Sequence, residues 1–292
     1  MKLGIGLPNT MANETDRRLM LDWARLADEA GFELLGTIDK PAYDSWDPLV
    51  TLAAAAAVTE RIRLATTILQ LPNRNEVLVA KQAAVVDQLS DGRLNLGVAQ
   101  GAGGEDYEVF GASPRGRSQR FEEQVGRIRE IWEAARESDR EHGVTGPAPL
   151  QDTAPIWVGA AQEKAIERAL RIADGFIWGT RGAARMGEAT PGLRERAAAL
   201  GKPDFTVVGL AYVAVGDDAG KALAEGAHHV LRYYGELWTE PRNLVHHGPA
   251  EKIADEIVAY ADAGIDILVA FPQIPSLDQV EQLAEAVLPA YR

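Results

Sequence analysis

The stretch "IRLATTILQLPNRNEVLVAKQAAVVDQLSDGRLNLGVA" (62–99) contains two apolar runs separated by a helical pattern. The runs 62–69 and 94–99 are apolar at consecutive positions, which is typical of strands that are covered on both faces. The helical segment 77–92 ends at Gly92, and glycine commonly terminates a helix. The stretch therefore predicts a strand–helix–strand unit that belongs to a parallel sheet.

The same alternation extends over the rest of the chain. The other apolar runs are 3–7, 34–38, 155–160, 175–179, 205–215 and 265–271, and helical patterns occupy 16–30, 119–135, 164–175, 185–200, 218–234, 252–264 and 277–290. Eight strands that are each followed by a helix predict a (β/α)₈ TIM barrel, formed as one domain over 1–292. The alternative is a doubly wound open sheet. That fold would require a glycine-rich phosphate motif after the first strand, and "GIGLPNT" (4–10) has no third glycine that opens a helix.

The composition excludes several classes of protein. The 292-residue chain has a net charge of −13, which argues against nucleic acid or an anionic membrane surface as a partner. It has no cysteine, so it can form no disulfide, and we expect a reducing, cytoplasmic location. No apolar run reaches the roughly 20 residues that are needed to cross a bilayer. The start, "MKLGIGLPNT", is not expected to be a signal peptide, because Pro8 interrupts its apolar run.

The segment "LLGTIDKPAYDSW" (34–46) contains a predicted strand and the residues that follow its carboxyl end. TIM barrels place their functional residues at these strand ends. Its apolar run ends at Ile38, and Asp39, Lys40 and Pro41 follow. A surface turn is the simpler interpretation, because proline cannot continue a strand ladder. We predict instead that Asp39 and Lys40 are functional residues on the rim of the barrel. Since they lie near a surface, we expect them to matter little for folding.

Amides, glycines and aromatic residues follow the other strands. Such groups suit a flat, hydrogen-bonding ring better than a metal ion, and we expect no metal. The paired histidines, at 228–229 and 246–247, are interpreted as helix neighbours that point about 100° apart and cannot share a metal. The polar stretch 137–155 predicts a loop, for which a role as a lid is conceivable.

Several blocks of the sequence resemble the bacterial luciferase-like monooxygenase family. They are "TERIRLATTILQLPNRNEVLVAKQAAVVDQLSDGRLNLGVAQG" (59–101), "DYEVFG" (106–111) and "PIWVGAAQEKAIERALRIADGF" (155–176). The resemblance covers nearly the whole chain. It implies a (β/α)₈ barrel that uses either reduced FMN with oxygen or the deazaflavin coenzyme F-420 as a hydride carrier. It also implies a small organic substrate, a separate flavin reductase and a homodimer.

The resemblance also implies roles for individual residues. Relatives commonly have Asp-His after the second strand; here Asp39 matches and Lys40 replaces the histidine. Gln100 stands where some relatives hold the flavin phosphate with an arginine, so we expect weak binding of oxidised FMN. Ala102 stands where deazaflavin sugar-phosphate dehydrogenases carry a glutamate. The small-residue turn 159–162 leads into a helix N-terminus, where free N–H groups favour a phosphate.

The predicted site has two parts. The predicted cofactor residues are Asp39, Gln70, Gln100, Gly101, Gly159, Ala160, Ala161, Gln162, Thr180 and Arg181, with Asp39 and Lys40 as the catalytic pair. The predicted substrate residues are Trp46, Tyr107, Trp178, His228 and Gln273. The leading function is a monooxygenase that uses reduced FMN and O₂. The alternatives are a deazaflavin-dependent oxidoreductase, which transfers hydride without oxygen, and a non-catalytic flavin-binding homologue.

Overall fold

A computed structural model describes residues 1–102, 104–137, 145–234 and 244–291 of the chain. Its strands, in chain order, are β1 (Lys2–Gly6), β2 (Leu34–Thr37), β3 (Arg63–Thr66), β4 (Leu69–Gln70), β5 (Leu94–Ala99), β6 (Ile156–Gly159), β7 (Gly175–Trp178), β8 (Thr206–Val215), β9 (Val245–Gly248) and β10 (Ile267–Pro272). All the pairings between these strands are parallel.

Eight of these strands close on themselves. Their order is β1–β2–β3–β5–β6–β7–β8–β10, and β10 pairs with both β8 and β1. The prediction of a (β/α)₈ barrel is confirmed, and the open-sheet alternative is wrong. Because the strands are parallel, the carboxyl ends of β2, β4, β5 and β6 all lie at the same end of the barrel, as the sequence predicted.

Helices surround this barrel. They are α1 (Arg17–Ala30), α2 (Pro48–Ala56), α3 (Glu76–Leu89), α4 (Glu105–Val109), α5 (Arg117–Glu137), α6 (Glu163–Ile172), α7 (Ala183–Ala199), α8 (Ala219–Tyr234), α9 (Ala250–Asp262) and α10 (Leu277–Ala286), with 3₁₀ turns at Leu71–Asn73 and Leu288–Tyr291. The local chemistry explains their limits. Asp16 caps α1 by accepting from the N–H of Leu19, and Gly31 ends that helix with a left-handed φ of 92°. None of the described helices is long and apolar enough to cross a membrane.

The core has two layers, which the alternation of strand side chains separates. The outer layer lies between strands and helices and includes Trp23, Ile128 and Trp178. The inner layer fills the barrel and includes Ile177 and Val269. Since neighbouring residues of a strand point to opposite faces, Ile177 faces inward while Trp178 faces the helices.

Strand β9 is an element that the sequence pattern did not predict. Its four residues contain two histidines, and it pairs with Tyr212–Val215, the carboxyl half of β8. β7 pairs only with Thr206–Gly209, so the rest of that edge of the long β8 is open to another strand. The interpretation of His246 and His247 as helix neighbours is therefore wrong, because both lie on β9.

The described part of the predicted loop, 145–155, does not lie where a lid is needed. Residues 138–144 fall outside the described part of the chain. In the described remainder, the side-chain amide of Gln151 donates to the carbonyl oxygen of Leu94 over 2.7 Å. Leu94 begins β5, so this segment packs at the amino end of the barrel. For these described residues, the idea of a lid over the mouth is wrong.

Candidate active site

A cavity of about 490 Å³ opens at the carboxyl ends of β5, β6 and β7. Seven of the predicted cofactor residues line it: Gln100, Gly101, Gly159, Ala160, Ala161, Gln162 and Arg181. The cavity therefore lies at the strand ends, as predicted. The other predicted cofactor residues, Asp39, Gln70 and Thr180, do not line it, and neither does Lys40.

The part of the cavity nearest the strands is apolar and has small residues in its walls. Ile68, Val158, Ile177 and Leu210 contribute to it. A Cβ atom on Gly159 would lie 3.1 Å from Cγ2 of Ile68, so a larger residue there would narrow the cavity. Gly101 has a φ of +72°, and a side chain there would collide with the amide of Gln70. This end of the cavity can accept a flat group.

The cavity also has a cationic lining. Arg117 from α5, Arg168 from α6 and Arg181 after β7 all line it. Arg117 donates to the carbonyl oxygen of Ala102 over 3.1 Å, and Arg181 donates to that of Ala161 over 2.6 Å. No side chain caps the N-terminus of α6, which begins directly after the lining residue Gln162. Guanidinium groups beside an uncapped helix N-terminus form a site for a phosphate.

Sequence analysis missed Arg117 and Arg168. Arg168 lies inside a helix rather than at a strand end, and Arg117 lies at the start of the long helix α5. The sequence did contain one indication that Arg168 could reach the site. Ala165 and Arg168 are three residues apart on α6, so their side chains lie on the same face of the helix. Both line the cavity. The expectation of weak binding of oxidised FMN rested on Gln100, and it stays a prediction; the positive charge of this cavity comes from Arg117, Arg168 and Arg181.

Asp39 lies beneath the rim rather than in the cavity. It is only 4% exposed, and its carboxylate pairs with Arg74 over 2.9 Å and accepts from the backbone N–H of Gln70 over 2.8 Å. Burial raises the pKa of Asp39, while Arg74 and the N–H of Gln70 oppose that shift. Burial would lower the pKa of Arg74, but Asp39 and Asp47 together raise it. The premise that Asp39 lies near a surface is wrong, because the ion pair is buried, and we now expect Asp39 to matter for folding.

Lys40 contacts a second buried carboxylate, that of Asp106 on α4. Asp106 accepts from Lys40 Nζ over 3.1 Å, from the N–H of Ala42 over 3.0 Å and from Nε2 of Gln70 over 2.8 Å. Asp106 thus connects the loops after β2, β4 and β5. Sequence analysis did not single it out, although it opens the quoted block "DYEVFG". We call Asp39, Arg74, Lys40, Gln70 and Asp106 the rim network.

Three aromatic residues that were predicted to contact substrate lie elsewhere. Trp178 is buried in the outer layer, where Nε1 donates to Oγ1 of Thr190 over 3.2 Å, so its assignment to the pocket is wrong. Tyr107 is also buried and does not line the cavity. Its hydroxyl donates to the carbonyl oxygen of Gln100 over 2.5 Å, and this hydrogen bond holds the segment that follows β5. Trp46 packs against the outer layer rather than in the cavity.

His228 and Gln273 line a different cavity of about 360 Å³, together with Glu14 and His229. His229 approaches Glu14 with 3.5 Å between Nε2 and Oε1. Burial lowers the pKa of His229, against the opposing effect of Glu14. The structure therefore brings these two predicted substrate residues together but places them apart from the arginine-lined cavity. In the described ranges, no group of three His, Cys, Asp or Glu residues could hold a metal ion.

A comparison with family models decides the family. The model of the luciferase-like monooxygenases matches residues 1–267. The chain belongs to the luciferase-like monooxygenase family. This result agrees with the closed barrel, with the strand-end cavity and with the resemblance of the sequence blocks.

Individual members of the family resemble the chain to different extents. An uncharacterised protein of Mycobacterium tuberculosis is 36% identical over 138 residues, and the match covers 45% of this chain and about half, 49%, of that relative. The oxygenase component of a flavin-dependent trigonelline monooxygenase from Acinetobacter baylyi is 24% identical over 257 residues, covering 82% of this chain and 71% of the relative. A putative coenzyme F420-dependent oxidoreductase of Mycobacterium tuberculosis is 28% identical over 280 residues, covering 84% and 75%.

Solved structures share the fold over the whole chain. The monooxygenase RslO1 from Streptomyces bottropensis superposes with a TM-score of 0.83 at 22% identity, and the match covers 100% of both chains. An F420-dependent secondary alcohol dehydrogenase superposes with a TM-score of 0.78 at 21% identity, again over 100% of both chains. At these identities the likeness concerns the fold alone. Among the sequence relatives, one is described as flavin-dependent and another as a putative F420-dependent oxidoreductase.

Proposed function

We propose that the protein is a flavin-dependent monooxygenase that uses reduced FMN and O₂ to oxidise a small organic substrate. One observation carries the proposal: a single cavity is walled by glycine and apolar side chains and is also lined by Arg117, Arg168 and Arg181. FMN has two matching parts, a flat ring and a phosphate dianion.

The residues fit such a cofactor. Arg117, Arg168, Arg181 and the uncapped N-terminus of α6 would hold the phosphate through charge-assisted hydrogen bonds. The apolar strand ends around Ile68 and Ile177 would receive the ring. Reduced FMN would supply the electrons with which O₂ is activated.

The chain itself would bind the reactants, orient them and exclude water. The apolar wall of Ile68, Val158, Ile177 and Leu210 keeps water from the strand ends. Asp39 and Lys40 would act through the rim network, by holding Gln70 behind Gly101, rather than by touching the reacting atoms. Their proposed role is therefore to position the wall of the cavity.

The trigonelline monooxygenase component supports the oxygen-dependent activity by analogy. A deazaflavin-dependent oxidoreductase is the second candidate, and the relative from Mycobacterium tuberculosis supports it. We place the proposed reaction in the cytoplasm, with a separate reductase as the source of reduced FMN.

Anaerobic titration calorimetry tests the proposal. We expect reduced FMN to bind with a submicromolar to micromolar dissociation constant. Arg168→Gln should weaken that binding by about tenfold or more, because a charge-assisted hydrogen bond contributes about 1.5–3 kcal/mol. Arg127→Gln is the matched control, since Arg127 lies on the exposed side of α5 and pairs with Glu130. It should bind like the wild type.

Three outcomes would change the conclusion. Tight binding of the deazaflavin coenzyme without affinity for FMN would favour the second candidate. Equal loss of affinity in Arg168→Gln and Arg127→Gln would show that Arg168 does not contact the phosphate. Binding of reduced FMN that never accelerates its oxidation with any organic substrate would favour a non-catalytic homologue.

A further inference from the structure

A second cavity, of about 360 Å³, opens on the same mouth of the barrel as the arginine-lined one. Its lining includes Glu14 after β1, His228 and His229 on α8, and Gln273 and Ile274 after β10. Helix α8 itself follows β8, so all three segments come after the carboxyl ends of barrel strands. We call this cavity the histidine cavity.

Gln273 connects the histidine cavity to the interior of the barrel. Val269 and Phe271 belong to the inner layer, and alternate residues of a strand share a face, so Gln273 continues their row at the mouth. Leu210, which lines the arginine-lined cavity, lies opposite Val269 on the neighbouring strand β8. Next along the two strands come the rings of Tyr212 and Phe271, 6.4 Å apart. The two cavities therefore open on neighbouring strands of one mouth.

The side chain of Gln273 has an unused hydrogen-bond acceptor. Gln273 is only 6% exposed, and its Nε2 donates to the carbonyl oxygen of Phe271 over 3.0 Å. A carbonyl oxygen can only accept, so the amide nitrogen must face it and Oε1 must point the other way. None of the described residues donates to this Oε1. Since a buried oxygen without a donor is unfavourable, a ligand that donates a hydrogen bond here would stabilise the site.

Glu14 gives the cavity a negative charge. Its side chain is 47% exposed, and its carboxylate lies 3.5 Å from Nε2 of His229. Burial lowers the pKa of His229, so this ring is predominantly neutral at neutral pH and does not cancel the charge of Glu14. Among the described residues, no lysine or arginine forms an ion pair with Glu14. Glu225 also lines the cavity, but its charge is partly offset by Lys221 at 3.8 Å.

A glycine lets α8 bring its histidines to the mouth. A Cβ atom on Gly226 would lie 2.8 Å from Cβ of Ala214 and 3.4 Å from Cβ of Gln273. Helix α8 therefore packs closely against β8 and the end of β10, and His228 and His229 follow directly. Their rings meet edge to face, with centroids 5.4 Å apart. No described residue forms a hydrogen bond with the ring of His228, so its nitrogens are available to a ligand.

This combination of groups fits one kind of ligand. The carboxylate of Glu14 and Oε1 of Gln273 both accept hydrogen bonds, while Ile274 and Pro275 add an apolar wall. In the described ranges no three acidic or histidine side chains are arranged to hold a metal ion. An organic ammonium meets all of these conditions, because it carries a positive charge, donates hydrogen bonds and has a hydrocarbon part.

We propose that the histidine cavity binds the ammonium group of an organic amine, and that this amine is the substrate. The inference rests on the proposed function and names its substrate class. Cavities for drug-sized ligands measure about 300–1,000 Å³, so the arginine-lined cavity of about 490 Å³ holds one ligand of cofactor size. The substrate therefore needs a space of its own. With its nitrogen at Glu14 and Gln273, an amine would extend over Tyr212 and Phe271 towards the cofactor.

Ligand-observed NMR titration tests the chemistry of the cavity. The probes are benzylamine, benzyl alcohol, benzoate and benzyltrimethylammonium, which share one ring and differ in charge and in hydrogen-bond donors. They are titrated at about pH 8, where an ordinary histidine is neutral and an alkyl amine is charged. The proteins are the wild type, Glu14→Gln and Glu130→Gln, each with and without reduced FMN in the absence of oxygen. Glu130 is a matched control, because it is 65% exposed and lies on α5, outside the cavity.

We expect benzylamine to bind the wild type about tenfold more tightly than benzyl alcohol, because an exposed ion pair and a hydrogen bond each contribute a factor of about three. Benzoate should bind most weakly, and benzyltrimethylammonium, which cannot donate, should bind less tightly than benzylamine. Glu14→Gln should reduce the tenfold preference to about twofold, and Glu130→Gln should keep it. Absent or equal binding of benzylamine and benzyl alcohol, or the same preference in both variants, would overturn the inference.

Reduced FMN separates this inference from the proposed function. Benzylamine should bind equally well to the loaded protein, because the two ligands occupy different cavities; competition with FMN would overturn the inference. If reduced FMN binds but the preference for the amine is absent, this inference alone fails. If the protein shows the Glu14-dependent preference but binds no reduced FMN, the proposed function fails, and the assignment of the amine as substrate fails with it.

Discussion

Replacing Asp39 by asparagine removes one charge from a buried ion pair and keeps the shape of the side chain. Arg74, whose side chain is 14% exposed, then loses its partner at 2.9 Å and keeps Asp47 at 2.9 Å. Breaking a buried pair costs about 3–5 kcal/mol, and the remaining Asp47 places the expected loss near the lower limit, about 3 kcal/mol. That loss corresponds to a fall in melting temperature of about 6 °C or more.

The assay is thermal melting of Asp39→Asn, Lys40→Met and Asp44→Asn beside the wild type. Lys40→Met removes one donor from the buried carboxylate of Asp106, which keeps the N–H of Ala42 and Nε2 of Gln70, so we expect a loss of about 1–3 kcal/mol, at most that of Asp39→Asn. Asp44 is exposed in the same loop, and its replacement should change stability by less than about 0.5 kcal/mol. If Asp39→Asn melts within about 1 °C of the wild type, the reasoning from the buried pair is refuted.

Three further predictions follow from other parts of the molecule. Asp106→Asn should lower the single-turnover rate by a larger factor than Lys40→Met does, because Asp106 accepts hydrogen bonds from both Lys40 and Gln70 and so connects three rim loops. An equal effect of the two substitutions on the rate would contradict this. Burial lowers the pKa of His229 in the folded protein, so as the pH falls below 6.5, the ordinary pKa of histidine, the unfolded chain binds a proton before the folded protein does. Proton binding then favours the unfolded chain, and the free energy of unfolding should fall. Chemical denaturation from pH 7 to pH 5.5 should show a smaller loss for His229→Gln than for the wild type. We expect the homodimer to form through the exposed apolar stripe of Leu78, Val85 and Leu89 on α3. Leu89→Glu should therefore reduce the mass measured by light scattering to that of a monomer. Leu200→Glu, which changes an exposed leucine outside this stripe, should leave the mass unchanged.

The barrel could be predicted from the sequence because its signal is local and periodic. Apolar runs such as 94–99 alternate with helical patterns such as 77–92, and both appear close to where the pattern put them. The rim followed from the same logic, since parallel strands place their carboxyl ends together. Gln100, Gly101 and the turn 159–162 were found in this way.

Other features could not be found from strand ends alone. Arg117 and Arg168 reach the cavity from helices, and their approach depends on how those helices pack. Trp178 was misplaced because one position along a strand reverses the face on which a side chain lies. Strand β9 depends on the free edge of β8, and a four-residue run that contains two histidines gives no pattern of its own.

The position of 145–155 at the amino end of the barrel has a practical consequence. Gln151 ties this segment to the start of β5, and the side chain of Leu150 is 58% exposed. A change in chain length here would leave the arginine-lined cavity untouched, because the whole length of the barrel separates the two. A fluorophore or an affinity handle attached at residue 150 would report on the protein without obstructing the entry of its ligands.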